Sequence, residues 1–182
     1  MSLPPTLPVA VLDSSALVPR WSRVVLQRLA ARPDPPYVPA WSEWIIAETW
    51  RTLAWRWLHR AAHPDEFEWT SLTRAGNQML RYLLPVMRLV SLREYAGADP
   101  WPELTDGDDV PIWQTAVVAR ADYVVSHDVG DFPPLVQHRH VYGGVEYLTA
   151  IEFVEDVLNE DAAQVYGASH PLGAAVRSQR VP

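Results

Sequence analysis

Three sets of carboxylates stand where a parallel sheet could put them to work: Asp13, the cluster Asp106, Asp108 and Asp109, and Asp128. Asp13 closes the apolar run Pro8-Val9-Ala10-Val11-Leu12, and Asp128 lies two residues past Ser126, where a second apolar run ends. Open parallel sheets bind ligands at the carboxyl ends of their strands. A single aspartate after a strand is more often a turn former or helix cap. Two on one edge, with a further cluster at a helix start, concentrate like charge that is costly unless a cation neutralises it. Oxygen donors, no cysteine and no obvious histidine pair point to Mg²⁺ or Mn²⁺ rather than zinc. Magnesium takes one or two protein carboxylates and completes its shell with water and substrate phosphate. That suits phosphodiester cleavage by a metal-activated water.

Composition removes the main competitors. The chain has no cysteine, which excludes thiol nucleophiles, disulfides and Cys-type zinc sites. All 15 basic residues are arginine, so a Walker A loop, a Schiff-base enzyme and a Ser-x-x-Lys hydrolase each lack their ammonium group. Gly-x-Gly-x-x-Gly, Gly-x-Ser-x-Gly and His-Glu-x-x-His are absent. The net charge of −7 opposes strong non-specific binding to nucleic acid. Residues 1–93, however, carry 11 arginines against 7 acids, and residues 94–182 carry 4 against 15, so a local basic face remains open. No run approaches the roughly 18 apolar residues of a membrane span. Met1 to Pro8 lacks the basic flank and apolar core of a secretory signal. No membrane association and a cytoplasmic setting are therefore expected.

The elements that must position these residues follow from periodicity. An apolar strand over 8–12 is followed by a helical stretch to about Arg32, broken or kinked at Pro19. Tyr37 to Pro39 reads as a short edge strand. A helix over 42–61 carries Ile46, Trp50, Leu53, Ala54 and Trp57 as its core stripe. Another helix runs from Pro64-Asp65 to about Leu84, followed by a strand at 88–92 and an acidic loop at 94–108. Then come a helix over 108–121, a strand over 122–126, and one strand over 141–148 interrupted by Gly-Gly. Thr149 and Glu152 form a capping box for a helix to about Asn159. Strands alternate with helices, which predicts a single α/β domain with a mainly parallel sheet over 8–160. Residues 1–7 and 161–182 read as loosely ordered tails.

Val11-Leu12-Asp13-Ser14-Ser15-Ala16-Leu17 resembles the opening strand of PIN domains. Trp41-Ser42 with Glu48 is similar to their second acidic motif, and Asp108-Asp109-Val110-Pro111-Ile112 to the third. Val124-Val125-Ser126-His127-Asp128, then Asp131-Phe132, resembles the signature that closes their site, and Gly144 to Thr149 the final strand and helix start. The resemblance spans about residues 9–155, and the nearest subgroup is the VapC-like toxins of bacterial toxin–antitoxin pairs. It implies a three-layer α/β/α sandwich and a metal-dependent endoribonuclease. Asp13, Glu48, Asp109 and Asp128 would be the catalytic and metal-binding acids, supported by Ser126, Asp131 and Ser15. The choice between Asp108 and Asp109 stays open. The implied partners are an RNA substrate, a small antitoxin protein and, as a further assembly, a homodimer. Ser15 and Ser126 replace the more usual Asn and Thr, and the chain is longer than most such toxins.

A lone helical glutamate is usually a solvated surface residue. Glu48, though, shares a stripe with Trp44, Thr52 and Trp55, away from the main core stripe. With Arg51 and Arg56 on the same helix, Trp44 and Trp55 form an expected partner or RNA surface. His138 and His140, at i and i+2, read as surface residues on one strand face, and His127 as a turn residue. A haloacid-dehalogenase phosphatase would need an acid where Ser15 stands. Two other readings keep the fold: a nuclease directed at DNA, and a non-catalytic RNA- or protein-binding module.

Overall fold

A computed structural model describes residues 7–60, 69–97, 99–104 and 106–167. The first apolar run forms β1 (Val9–Leu12), and the chain turns at Asp13 into α1 (Ser14–Leu17) and α2 (Arg20–Ala30), separated at Pro19 as expected. β2 (Val38–Ser42) leads directly into α3 (Glu43–Arg60), followed by α4 (Trp69–Leu83) and β3 (Arg88–Val90). The second half contains α5 (Val110–Ala119), β4 (Tyr123–Val125), β5 (Leu135–Val136), β6 (Arg139–Tyr142) and β7 (Val145–Leu148). It closes with α6 (Ala150–Glu152), a π-helical turn at Phe153–Val157, and α7 (Ala162–Tyr166). The expected helix start at Pro64-Asp65 and the ends 1–6 and 168–182 lie outside the described residues.

Seven strands among the described residues form one mixed sheet in the order β3-β2-β1-β4-β7-β6-β5. The five from β3 to β7 run parallel, and β6 and β5 continue antiparallel. The carboxyl ends of β1, β2, β4 and β7 thus share one edge. α5 packs against β1, β2, β3 and β4, while α2 contacts α6 and α7, an α/β arrangement compatible with three layers. Val11, Val124 and Ala40 are fully buried, as strands covered on both faces require.

Several local expectations are corrected. β2 is interior, between β1 and β3, and not an edge strand. Pro39 is tolerated there because the Val38 N–H donates toward β1, to Pro8. The missing N–H of Pro39 would therefore face the β3 side, where pairing begins only at Ala40. The single strand expected over 141–148 is a hairpin: Gly143 (φ +57°) and Gly144 (φ +85°) make a turn with positive φ at both centres, which reverses the chain. In α3 the fully buried positions are Ile45 and Thr49. Ile46, Trp50, Leu53 and Ala54 are half-buried, and Trp57 is exposed. α3 packs on α4, with the Trp50 ring lying where a Cβ on Gly76 would be. The expected C-terminal tail begins too early. Ala162, Ala163 and Tyr166 of α7 are buried, and Arg28 donates to the carbonyls of Val165 and Tyr166.

Candidate active site

Asp13 sits at the centre of the carboxyl edge, 4% exposed, and caps α1. Its Oδ1 accepts the Ser14 N–H at 2.5 Å. Its Oδ2 accepts the Ser15 N–H (3.3 Å), the Ser15 hydroxyl (2.5 Å) and the Ser126 hydroxyl (2.9 Å). The two hydroxyls stand 3.0 Å apart, and they accept the N–H groups of His127 and Asp128 in turn. This network ties the end of β1 to the end of β4. It fixes Asp13 firmly and leaves the larger share of its remaining acceptor capacity on Oδ1.

The other acids approach from three elements. Glu48 is half-buried on α3, and its carboxyl is raised by burial first, then by Asp13. The Ser14 hydroxyl and Arg51 act in the opposite direction. Its Oε2 is buried without a hydrogen-bond partner among the described residues. Asp109 precedes α5 and is pushed up to about 7, by burial first and then by Asp131, Asp13, Asp106 and Asp128. Asp131 is also raised, by burial and then by Asp128, while a hydrogen bond with Asp109 lowers it. Asp128 is exposed at the start of a 3-10 turn, Val129–Asp131. Asp108 is exposed and bonded to Arg51 at 3.2 Å, so Asp109 is the one of the pair that faces the cluster.

Two hollows meet at Asp128. The larger, about 690 Å³, runs between α3 (Glu48, Thr52, Arg56) and the α1–α2 segment (Ser15, Trp21), with His127 and Thr149 on a further side. The smaller recess holds Asp109, Asp131, Ser126 and Tyr147. Among the described residues, no group of three or more Asp, Glu or His side chains is already arranged to grip a metal ion. The acids are coupled through space and not drawn into a closed cage.

No protein-family model, curated protein or solved structure matches this chain. Its chemistry has to be read from the site.

Of the residues expected to act together, Asp13, Ser15, Ser126, Asp109, Asp128 and Asp131 converge, and Glu48 joins them from α3. The ridge on α3 is corrected. Trp55 is 58% exposed and stacks on His59 (centroids 4.1 Å apart), whereas Trp44 is half-buried with its Nε1 fully enclosed. Arg51 is drawn toward the acids, and Arg56 lines the cleft. His138 stands at positive φ in the β5–β6 turn and shares no strand face with His140, whose Nδ1 meets the Pro133 carbonyl at 2.6 Å.

Tyr147 and Trp21 escaped the sequence reading. The Tyr147 hydroxyl is buried with no hydrogen-bond partner among the described residues, and burial followed by Asp109 and Asp13 raises its pKa. Its position near the carboxyl end of β7 was the available signal. His127 is half-buried against Trp21 (centroids 5.3 Å apart), and burial lowers its pKa.

Proposed function

We propose that this protein is a Mg²⁺- or Mn²⁺-dependent endoribonuclease of the PIN type, acting as the toxin of a toxin–antitoxin pair. One observation carries the reading: acids from β1, α3, the α5 start and the β4 end gather at one sheet edge, where burial first and then Asp131, Asp13, Asp106 and Asp128 push Asp109 up to about 7. Such crowding is unfavourable for an empty fold and favourable for one that receives a divalent cation. The donor set fits. It is all hard oxygen, Asp13 keeps acceptor capacity on Oδ1, and Glu48 Oε2 is buried and unpaired. The lack of a closed cage fits an ion that keeps several waters and takes one or two carboxylates.

Of Asp13, Glu48, Asp109 and Asp128, one or two would touch the ion directly and the others would hold its waters. When bound, it supplies Lewis acidity toward a phosphate oxygen and lowers the pKa of water. The chain supplies the rest. Ser15 and Ser126 lock Asp13, and Asp131 adds negative charge beside Asp109. Asp128, at the junction of the two hollows, faces both sides of a strand laid across the edge. No nucleophilic side chain is required, so no covalent enzyme intermediate forms.

The proposed antitoxin surface is centred on exposed Trp55 with Arg51 beside it, and Trp44 contributes only its accessible edge. A homodimer is the other assembly this reading admits. The cleavage test sets single-stranded RNA against single-stranded DNA, in Mn²⁺ and in EDTA. Mn²⁺-dependent cutting of RNA with 5′-phosphate products is expected. Preferential cutting of DNA would move the substrate assignment, and no cutting of either would return the fold to a binding module.

A further inference from the structure

The larger cleft contains more than the acids need. Trp21 and His127 pack ring against ring on one side, 5.3 Å between centroids with planes inclined at 48°. Both are half-buried, so each keeps part of its surface on the cleft. The His127 Nε2 is buried and has no hydrogen-bond partner among the described residues, although its backbone N–H is anchored on the Ser15 hydroxyl at 2.8 Å. Buried polar atoms ordinarily find a partner, and this one borders a cavity.

From α3, Glu48, Thr52 and Arg56 follow one another at four-residue spacing and all line the cleft. Arg56 makes no ion pair with any described carboxylate, unlike Arg51. Its Cα lies eight residues beyond Glu48, about 12 Å along the helix axis at 1.5 Å per residue. A cation at that remove serves a group further along a bound chain and not the atom under attack at Glu48 and Asp128.

We propose that this cleft is a subsite for one unpaired nucleotide of single-stranded RNA. Its base stacks on the Trp21–His127 wall, and a phosphate further along the strand pairs with Arg56. The proposal rests on the ribonuclease reading and deepens it. The volume of about 690 Å³ lies within the range of ligand-binding clefts. Aromatic rings accept any base that is free of its own stack, which selects a single strand over a duplex. An arginine with no counter-ion among the described residues meets the recurring charge of the strand. The acids at the other end repel phosphate until a cation occupies them, so the subsite holds the strand while the ion admits the scissile group.

The test uses the full chain and a short fluorescein-labelled single-stranded RNA. Binding is measured by anisotropy in EDTA, where metal-dependent cutting is silent, and cleavage separately in Mn²⁺. Trp21→Leu should raise Kd about tenfold, within the range for loss of one base stack, and Trp21→Phe should restore most of the affinity. Arg56→Gln should weaken binding and make the slope of log K against log salt shallower by about 0.7, the signature of one lost phosphate contact on a single strand. In Mn²⁺ both Trp21→Leu and Arg56→Gln should raise KM more than they lower kcat. Arg56 has no ion-pair partner among the described residues, so its variant decides the matter even if Trp21→Leu fails to fold. Unchanged Kd and salt slope in Arg56→Gln, with KM unchanged, would overturn the subsite while leaving the ribonuclease standing. A wild-type protein that binds RNA in this Arg56-dependent way but never cuts it would overturn the ribonuclease and keep the subsite. A protein that neither binds nor cuts single-stranded RNA overturns both.

Discussion

Asp109→Asn should make the metal-free protein more stable, and the gain should depend on pH in a defined way. Raising an aspartate from 3.8 to about 7 corresponds to roughly 4 kcal/mol of disfavour for its charged form, at 1.36 kcal/mol per decade. Asp109 is only half-buried, and solvent screening reduces this to about 1.5–2 kcal/mol. The carboxylate also gains about 0.5 kcal/mol at the start of α5, which the amide forfeits. About 1 kcal/mol of net stabilisation remains, or about 2–4 °C in Tm for a domain of this size. The sign follows from linkage. The folded protein binds a proton at Asp109 that the unfolded chain has released between pH 3.8 and about 7. Stability therefore falls as pH rises through that window and is flat above it. Asparagine removes the penalty, so the variant and the wild type should melt together near pH 4 and separate progressively up to pH 7–8. Urea or thermal denaturation in EDTA at several pH values reads this directly. A variant less stable than wild type at pH 8, or a difference that does not grow with pH, would refute the electrostatic account of the site.

Millimolar Mn²⁺ should reverse that order, because an ion bound only to the folded state stabilises by about 2.7 kcal/mol at 100 times its Kd. Wild type should gain in Tm, and the double variant Asp109→Asn plus Asp128→Asn should gain almost nothing; equal gains would remove the acids from the metal site. On α3, Trp55→Ala should change stability by no more than about 0.5 kcal/mol while weakening antitoxin binding by more than about 1 kcal/mol. Trp44→Ala should cost about 2 kcal/mol, below the 3–5 of a fully buried aromatic, so melting curves and co-purification with the partner distinguish the two positions. His138→Ala should leave RNA cleavage close to wild type, since His138 stands in the β5–β6 turn and not in the site; a dead variant would call for histidine chemistry.

The parallel heart of the fold was legible because its strands are short apolar runs, each ending in a polar residue at one edge. That pattern marks Asp13, Ser126 and Asp128 as residues at or just past strand ends. The break at Pro19 and the Thr149–Glu152 capping box are local chemistry, and local chemistry transfers well. What failed was non-local. The segment around Pro39 read as an edge strand because its neighbour β3, which pairs with β2 only from Ala40 onward, comes more than 40 residues later. Gly143-Gly144 read as an interruption because a turn and a bulge look alike until the partner strand is known. Trp44 and Trp55 share a stripe, yet Trp44 is half-buried and Trp55 exposed, a difference that helical spacing alone does not carry. Trp21 was invisible as a site residue because nothing in sequence ties α2 to β4, whereas Tyr147 was marked only by its place near the carboxyl end of a strand. The hydroxyls of Ser15 and Ser126, 111 residues apart, meet only after the sheet has formed.

The claim at the centre is that clustered carboxylates exist to receive a divalent ion that cuts RNA, and one comparison tests it most directly. Wild type and Asp109→Asn are assayed on the same single-stranded RNA with Mn²⁺ and with EDTA, beside their melting curves. Wild type should cut RNA with Mn²⁺ and stop in EDTA. Asp109→Asn should melt no lower than wild type in EDTA, yet lose more activity than the roughly 10–100-fold that removal of a merely supporting partner costs. Cleavage that survives EDTA, or an Asp109→Asn protein that cuts at the wild-type rate, would contradict the account.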